Sequence, residues 1–232
     1  MTKELLSSWG VAFEGFDVEA QPERRADLEA FGVMRVPATI VGGRIVHGWN
    51  PQALAELVGV RYHAPKKLGP AELAERMDVV LAATQRAIRQ VPREHLGMKY
   101  PGRDRTVHQL GFHVFRVAAS FADTREQGHL DGAWFEENAP PAMADGEAVA
   151  RYGETVRARL AAFFARPGWC DGEVSTYYGP QSASELMERT TWHAAQHLRQ
   201  IYWFLDELRV EKDAPLTDAD LEGLPFPREV WS

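Results

Sequence analysis

Three histidines carry the chemistry that stands out in this chain of 232 residues: His113, His193 and His197. His193 and His197 are four residues apart, so on a helix their side chains share one face about one turn apart, as two ligands of a single ion require. Imidazole nitrogen binds zinc at about 2.0–2.1 Å, and this spacing allows that without distorting the helix. Both fall on an apolar stripe in which Leu186, Thr190, His193, His197, Ile201, Phe204 and Leu208 follow one another at steps of three or four. Two inward-facing imidazoles must either share a metal or find separate hydrogen-bond partners. His113 lies on a second stripe with Leu110, Val114, Val117 and Phe121, and reads either as a third ligand or as a hydrogen-bonded core histidine. Its neighbour His108 is displaced around the helix, toward the surface. Three histidines without a fourth protein ligand would leave a coordination position open, the arrangement of catalytic rather than structural sites.

Other residues could support such a site. Gln196 and Gln200 flank the pair and could orient a ligand or substrate, although exposed helix glutamines are the simpler reading. Arg199 could bind a carboxylate or simply stay solvated, and Tyr177 and Tyr178, in the loop before the last helix, could line the mouth. The single cysteine, Cys170, excludes an internal disulfide framework and a cysteine-rich zinc site, and no base is identifiable beside it to make it a nucleophile.

The elements that must position these side chains divide the chain in two. From Pro70 onward four amphipathic helices are expected, over about 70–91, 106–127, 146–165 and 182–208. Ser182 caps the last one, with Glu185 at the capping-box position. Four such helices suffice for an antiparallel bundle, and the long connection over about 127–145 permits a crossover. The first 62 residues change pattern every few positions, as small α/β units do. Val11–Val18 reads as a strand, Pro22–Phe31 as a helix, and Val36–Val41 as a second strand. Gly42-Gly43 then signals a hairpin into Arg44–Trp49, and Asn50-Pro51 opens a further helix. Residues 63–69 read as a linker.

A net charge of −7 without a Lys/Arg cluster argues against nucleic acid as a partner. No apolar run approaches the roughly 20 residues needed to span a bilayer, so the expectation is a cytoplasmic protein acting on a small molecule, without membrane or nucleic-acid partners.

Two resemblances sharpen this reading. Val36-Pro37-Ala38-Thr39 before the hairpin and Gly48-Trp49-Asn50-Pro51 after it resemble the C-terminal two-thirds of a glutaredoxin, over about 60 residues. That resemblance implies a cis Val36-Pro37 bond and a backbone groove for the cysteinyl part of a thiol peptide at Val36 and Pro37. The family's first strand and cysteine loop have no counterpart, Met1–Trp9 corresponds to the rest of its opening helix, and dithiol redox chemistry is excluded for this half. The missing strand would lie between the two flanking ones, so pairing of those two, a strand or helix lent within a homodimer, cover from the helical half, or a start codon further upstream are the ways to satisfy the freed backbone. The second resemblance covers about residues 70–232. Thr106-Val107-His108-Gln109-Leu110-Gly111-Phe112-His113, Thr191-Trp192-His193-Ala194-Ala195-Gln196-His197 and Leu221-Glu222-Gly223-Leu224-Pro225-Phe226-Pro227 resemble the DinB-like four-helix bundle family. It implies that the three histidines bind a divalent metal, zinc or nickel, and that a low-molecular-weight thiol can be co-substrate of a transferase or isomerase. The expected fold is α+β in two domains, a truncated thioredoxin/glutaredoxin-like unit over 1–62 and a DinB-like bundle over 70–232. Two other functions use the same histidines: a metal-assisted hydrolase acting through bound hydroxide, and a non-catalytic metal-binding sensor or interaction protein.

Overall fold

The computed structural model describes residues 2–18, 21–33, 37–48, 50–62, 67–177, 179–224, 226 and 230–231. The chain falls into two compact units, Met1–Lys67 and Leu68–Trp231.

In the first unit, helix α1 (Thr2–Ser8) is followed by a 3-10 turn (Pro22–Arg24) leading into α2 (Arg25–Glu29), then β1 (Ala38–Val41), β2 (Arg44–His47) and α3 (Pro51–Val58). β1 and β2 form the expected hairpin, antiparallel with Val41 opposite Arg44. Gly42 and Gly43 make its two-residue turn at φ +53° and +81°, a pair of left-handed conformations that side-chain-bearing residues rarely accept. Asn50 caps α3 as its position suggests, its side-chain oxygen accepting from the Ala53 amide at 3.0 Å, and Gly59 closes the helix in the left-handed region. Leu6, Leu54 and Leu57 are the buried core, with Trp9, Val11 and Val46 packed against it.

The expected strand over Val11–Val18 does not form: residues 11–17 carry no regular secondary structure. The reason is a missing neighbour. A strand is held by a ladder, and among the described residues the hairpin is the unit's whole sheet, so the direct pairing of the flanking segments does not occur. Phe13 and Phe16 of that segment are exposed. The expected helix over 22–31 is shorter, ending at Glu29, and the second strand begins at Ala38; Val36, the Val36-Pro37 bond and Trp49 lie outside the described residues, as do residues 63–66 of the expected linker.

The second unit is built from α4 (Pro70–Gln90), α5 (Val107–Gln127), α6 (Gly146–Phe164) and α7 (Ala183–Glu207), within about a residue of the stretches read from the sequence. Capping fixes where the two site-bearing helices start. Thr106 accepts from the Gln109 amide while the Gln109 side chain reaches back to the Thr106 amide, and Ser182 with Glu185 does the same for α7. α4 packs on α6 and α7, and α5 packs on the same two, so α4 and α5 occupy one diagonal of the bundle and α6 and α7 the other. The segment between α5 and α6 therefore joins neighbours and is not a crossover; the diagonals are crossed between α4 and α5 and between α6 and α7. Close approach of the helices relies on α6 glycines: a Cβ on Gly146 would collide with the Ile88 carbonyl oxygen, and one on Gly153 with the Phe115 ring. The core runs through Leu73, Met77, Leu81, Phe115, Phe121, Leu198, Ile201 and Phe204.

The segment between α5 and α6 is used instead to wall one side of the bundle. It holds β3 (His129–Leu130) and a 3-10 turn (Gly132–Glu136). β3 pairs in parallel with β4 (Glu173–Thr176), which pairs antiparallel with β5 (Gln181–Ser182) immediately before α7. This small sheet has no counterpart in the sequence reading, because two-residue strands are too short to show a period of two. Arg116 of α5 anchors the segment: its guanidinium donates to Glu137 at 2.7 Å and 3.2 Å and to Asp123 at 2.8 Å, with the Trp134 ring beside it.

Candidate metal centre

α5 and α7 are packed neighbours, and their caps set the phase at which each histidine faces the other helix. His113 is 1% exposed, whereas His193 and His197 are half-buried at the wall of a cavity. The three rings meet with centroid separations of 5.4 Å (His113 to His193), 5.0 Å (His113 to His197) and 4.7 Å (His193 to His197). One nitrogen from each lies within 4.8 Å of the others, so the trio could hold a metal ion. Two of their nitrogens, His113 Nδ1 and His197 Nε2, are buried without a hydrogen-bond partner. Orphaned buried nitrogens are costly unless something else uses the lone pair, and a divalent cation does so.

The protonation pattern suits that use. His197 Nδ1 lies 2.6 Å from Gln200 Oε1, and the Gln200 Nε2 donates to the Val230 carbonyl at 3.1 Å. The amide group facing the Val230 carbonyl oxygen at that distance has to be the Gln200 Nε2, since two acceptor oxygens would repel; Gln200 Oε1 therefore faces His197 and can only accept, so the Nδ1 carries the proton and Nε2 keeps its lone pair. Burial, helped by the charges of His197, Arg105 and Arg116, pushes His113 down to about 2. Burial likewise holds His193 well below the usual imidazole range and brings His197 to about 4, the latter against the opposing bond to Gln200. All three are neutral ligands at neutral pH.

This has a measurable consequence for the metal-free chain. Because the folded-state values lie below those of the unfolded chain, the unfolded state binds more protons, and stability is lost as pH falls below about 6.5 toward the folded value. For His113 the loss is at most about 1.4 kcal/mol per pH unit. Melting curves of chelator-treated protein between pH 7 and 4 are expected to show that decline, and His113→Leu to flatten it; an unchanged slope in the variant would refute the assignment.

The cavity into which the histidines open has a volume of about 240 Å³. Val117, Leu130, Phe135 and Leu186 form its apolar wall, Thr190 and Tyr177 add hydroxyls, and Arg105, Arg189 and Glu136 bring charge. Of the supporting residues read from the sequence, Tyr177 does line the cavity and Gln200 does touch a histidine. The expectation that Gln196 and Gln200 are exposed is wrong: they are 6% and 8% exposed, because the chain's C-terminal end returns over α7 and both amides donate to the Val230 carbonyl. Arg199 is turned the same way, donating to Gln196 Oε1 at 2.7 Å and lying over the Phe226 ring, and does not line the cavity. His108 is half-buried and outside the trio. Cys170 is buried, its thiol pushed up by desolvation, and apart from the cavity lining. Pro37 is exposed, with its carbonyl accepting from the Gly48 amide at 2.7 Å; Val36 and Tyr178 lie outside the described residues.

Comparison with known proteins adds two likenesses. The Glutaredoxin family model matches residues 1–46. Among solved structures, a DinB-like protein from Bacillus subtilis matches with 15% sequence identity and a TM-score of 0.49, over 66% of this chain and 95% of that one. No curated protein matches. The glutaredoxin match ends at Val46 in β2 and so includes the α1, α2 and β1 elements of the first unit, none of which carries a cysteine. No helix among the described residues is long and apolar enough to cross a membrane.

Sequence reasoning missed Arg105, Arg189, Phe135 and Glu136. Arg189 was within reach, since it precedes His193 by four residues on the same helical face. Arg105 stands immediately before the cap of α5. Phe135 and Glu136 arrive on a loop and follow no period.

Proposed function

We propose that this protein is a divalent-metal-dependent transferase or isomerase that takes a low-molecular-weight bacterial thiol, of the bacillithiol or mycothiol type, as co-substrate. The observation that carries the proposal is the convergence of three neutral imidazoles from two helices at the wall of a substrate-sized cavity. His113, His193 and His197 would hold the ion, zinc or nickel by the chemistry of the donors. When bound, such an ion supplies Lewis acidity that lowers the pKa of a thiol and makes thiolate available at neutral pH.

The chain's own residues do the rest. Gln200 orients His197, and burial keeps His113 unprotonated. Leu130, Phe135 and Leu186 exclude water from the reacting groups. The chain's one thiol is buried apart from the cavity lining, so a thiol nucleophile there has to arrive with a co-substrate. The glutaredoxin likeness of the first unit supports a thiol in that role, by analogy between folds.

The test is turnover of 1-chloro-2,4-dinitrobenzene by metal-loaded and chelator-treated protein, with bacillithiol, with mycothiol and without thiol. Enzymatic consumption that needs both metal and one of the thiols is expected. Turnover of ester substrates without thiol would replace the proposal by a hydrolase, and no turnover of either kind by a binding protein.

A further inference from the structure

Gln200, which holds His197, is itself held from outside α7. Its Nε2 donates to the Val230 carbonyl at 3.1 Å, and the Gln196 Nε2, one helical turn earlier, donates to the same oxygen at 2.8 Å. Two donors occupy both lone pairs of that carbonyl, so its position and the orientation of the two amides are fixed together. Trp231 sets that position. Its ring stacks on Tyr100, with centroids 4.2 Å apart and planes 10° apart, and meets Trp203 at 5.6 Å and Phe204 at 5.7 Å edge-on. Trp203 and Phe204 belong to α7, whereas Tyr100 lies in the connection from α4 to α5. That connection is fastened to the start of α5: the Val107 amide donates to the Met98 carbonyl at 2.8 Å, and Lys99 bridges Thr106. Trp231 is therefore clamped between the helix of His193 and His197 and the approach to the helix of His113.

We infer that Trp231 is a positioning residue for the metal centre: seated among Tyr100, Trp203 and Phe204, it holds the Val230 carbonyl over α7, that carbonyl holds the Gln200 amide, and the amide aims the His197 ring. Gln200 Oε1 lies 2.6 Å from His197 Nδ1, which leaves Nε2, buried and without a hydrogen-bond partner, for an ion. Without the clamp the Val230 carbonyl no longer specifies which end of the amide faces the histidine, and the ring loses its fixed setting. The indole N–H has no hydrogen-bond partner among the described residues, so the ring acts through its face and edges, and a phenylalanine retains that action. The inference rests on the reading of the histidines as metal ligands, and not on the thiol chemistry proposed for them.

The experiment uses the full chain, chelator-treated and then titrated with Co²⁺, with melting curves recorded on the same samples. Trp231→Ala is expected to weaken Co²⁺ binding by about tenfold with about one ion still bound at saturation, and Trp231→Phe to stay within about twofold of the wild type. In the Gln200→Leu background, adding Trp231→Ala is expected to change the affinity by less than about twofold, because the link is already broken. Before metal is added, the hydrogen-bonded His197 Nδ1–H proton resonance, assigned by its loss in His197→Gln, is expected in the wild type and Trp231→Phe and is expected to be missing from Trp231→Ala. Tyr100→Leu, which removes the stacked ring from the other side, is expected to repeat the Trp231→Ala result and stands in for that variant should it fail to fold. In a wild type that binds Co²⁺, an unchanged affinity or resonance in Trp231→Ala, or an equal loss of affinity in the Gln200→Leu background, would overturn the inference. Failure of the metal site itself reads differently: a wild type that binds no Co²⁺, while the His197 resonance still depends on Trp231, refutes the ion and keeps the positioning role.

Discussion

His113→Ala, His193→Ala and His197→Ala are each expected to lower the metal content of the purified protein from about one ion per chain to less than about a tenth of that. Each substitution would remove one of the three candidate ligands among the described residues, and the two that remain would not compete with buffer and chelators for the ion. A graded comparison separates a metal site from general loss of structure. Gln200→Leu leaves all three imidazoles but removes the acceptor that fixes the His197 tautomer, so metal affinity is expected to fall by about 10–100-fold with the ion still bound at saturation. Metal content measured by elemental analysis, with circular dichroism on the same samples, reads both effects. Equal content in the wild type and the three alanine variants would remove the site.

Arg116→Ala is expected to destabilise the helical unit by about 3 kcal/mol, a fall in melting temperature of roughly 6–12 °C. The Arg116 side chain is 9% exposed and bridges Asp123, at 16%, to Glu137, at 47%. Removing it leaves the half-buried Asp123 carboxylate with Arg159, at 2.7 Å, and this keeps the loss at the lower end for a broken buried pair. The effect is expected to reach the site as well, because Glu137 directly follows the turn that carries Phe135 and Glu136 into the cavity wall. Amide exchange of residues 131–137 should therefore accelerate more than that of α7. A shift below about 1 kcal/mol, or uniform acceleration, would show that Arg116 does not anchor this segment.

Much of the site was legible because it depends on local rules. The i,i+4 pair His193 and His197, the apolar phase of His113, and the caps at Thr106 and Ser182 are set within a few residues, and local geometry decided them. The hairpin at Gly42-Gly43 and the cap at Asn50 were legible for the same reason. What was not legible depends on distant partners. Val11–Val18 has the composition of a strand but lacks a ladder, and composition cannot report that. Gln196 and Gln200 look like surface glutamines until Val230, 34 and 30 residues further along the chain, folds back over them. The diagonal placement of α4 and α5 is likewise a choice among packings of similar amphipathic helices that no single stripe encodes.

The central claim is that the imidazoles of α5 and α7 close on one ion. Titration of chelator-treated protein with Co²⁺, followed by visible absorption, tests it most directly. The account predicts ligand-field bands of a nitrogen-coordinated ion that saturate at about one equivalent in the wild type and are missing from the variant lacking all three histidines. Bands of equal intensity in that variant, or no bands in the wild type, would contradict it.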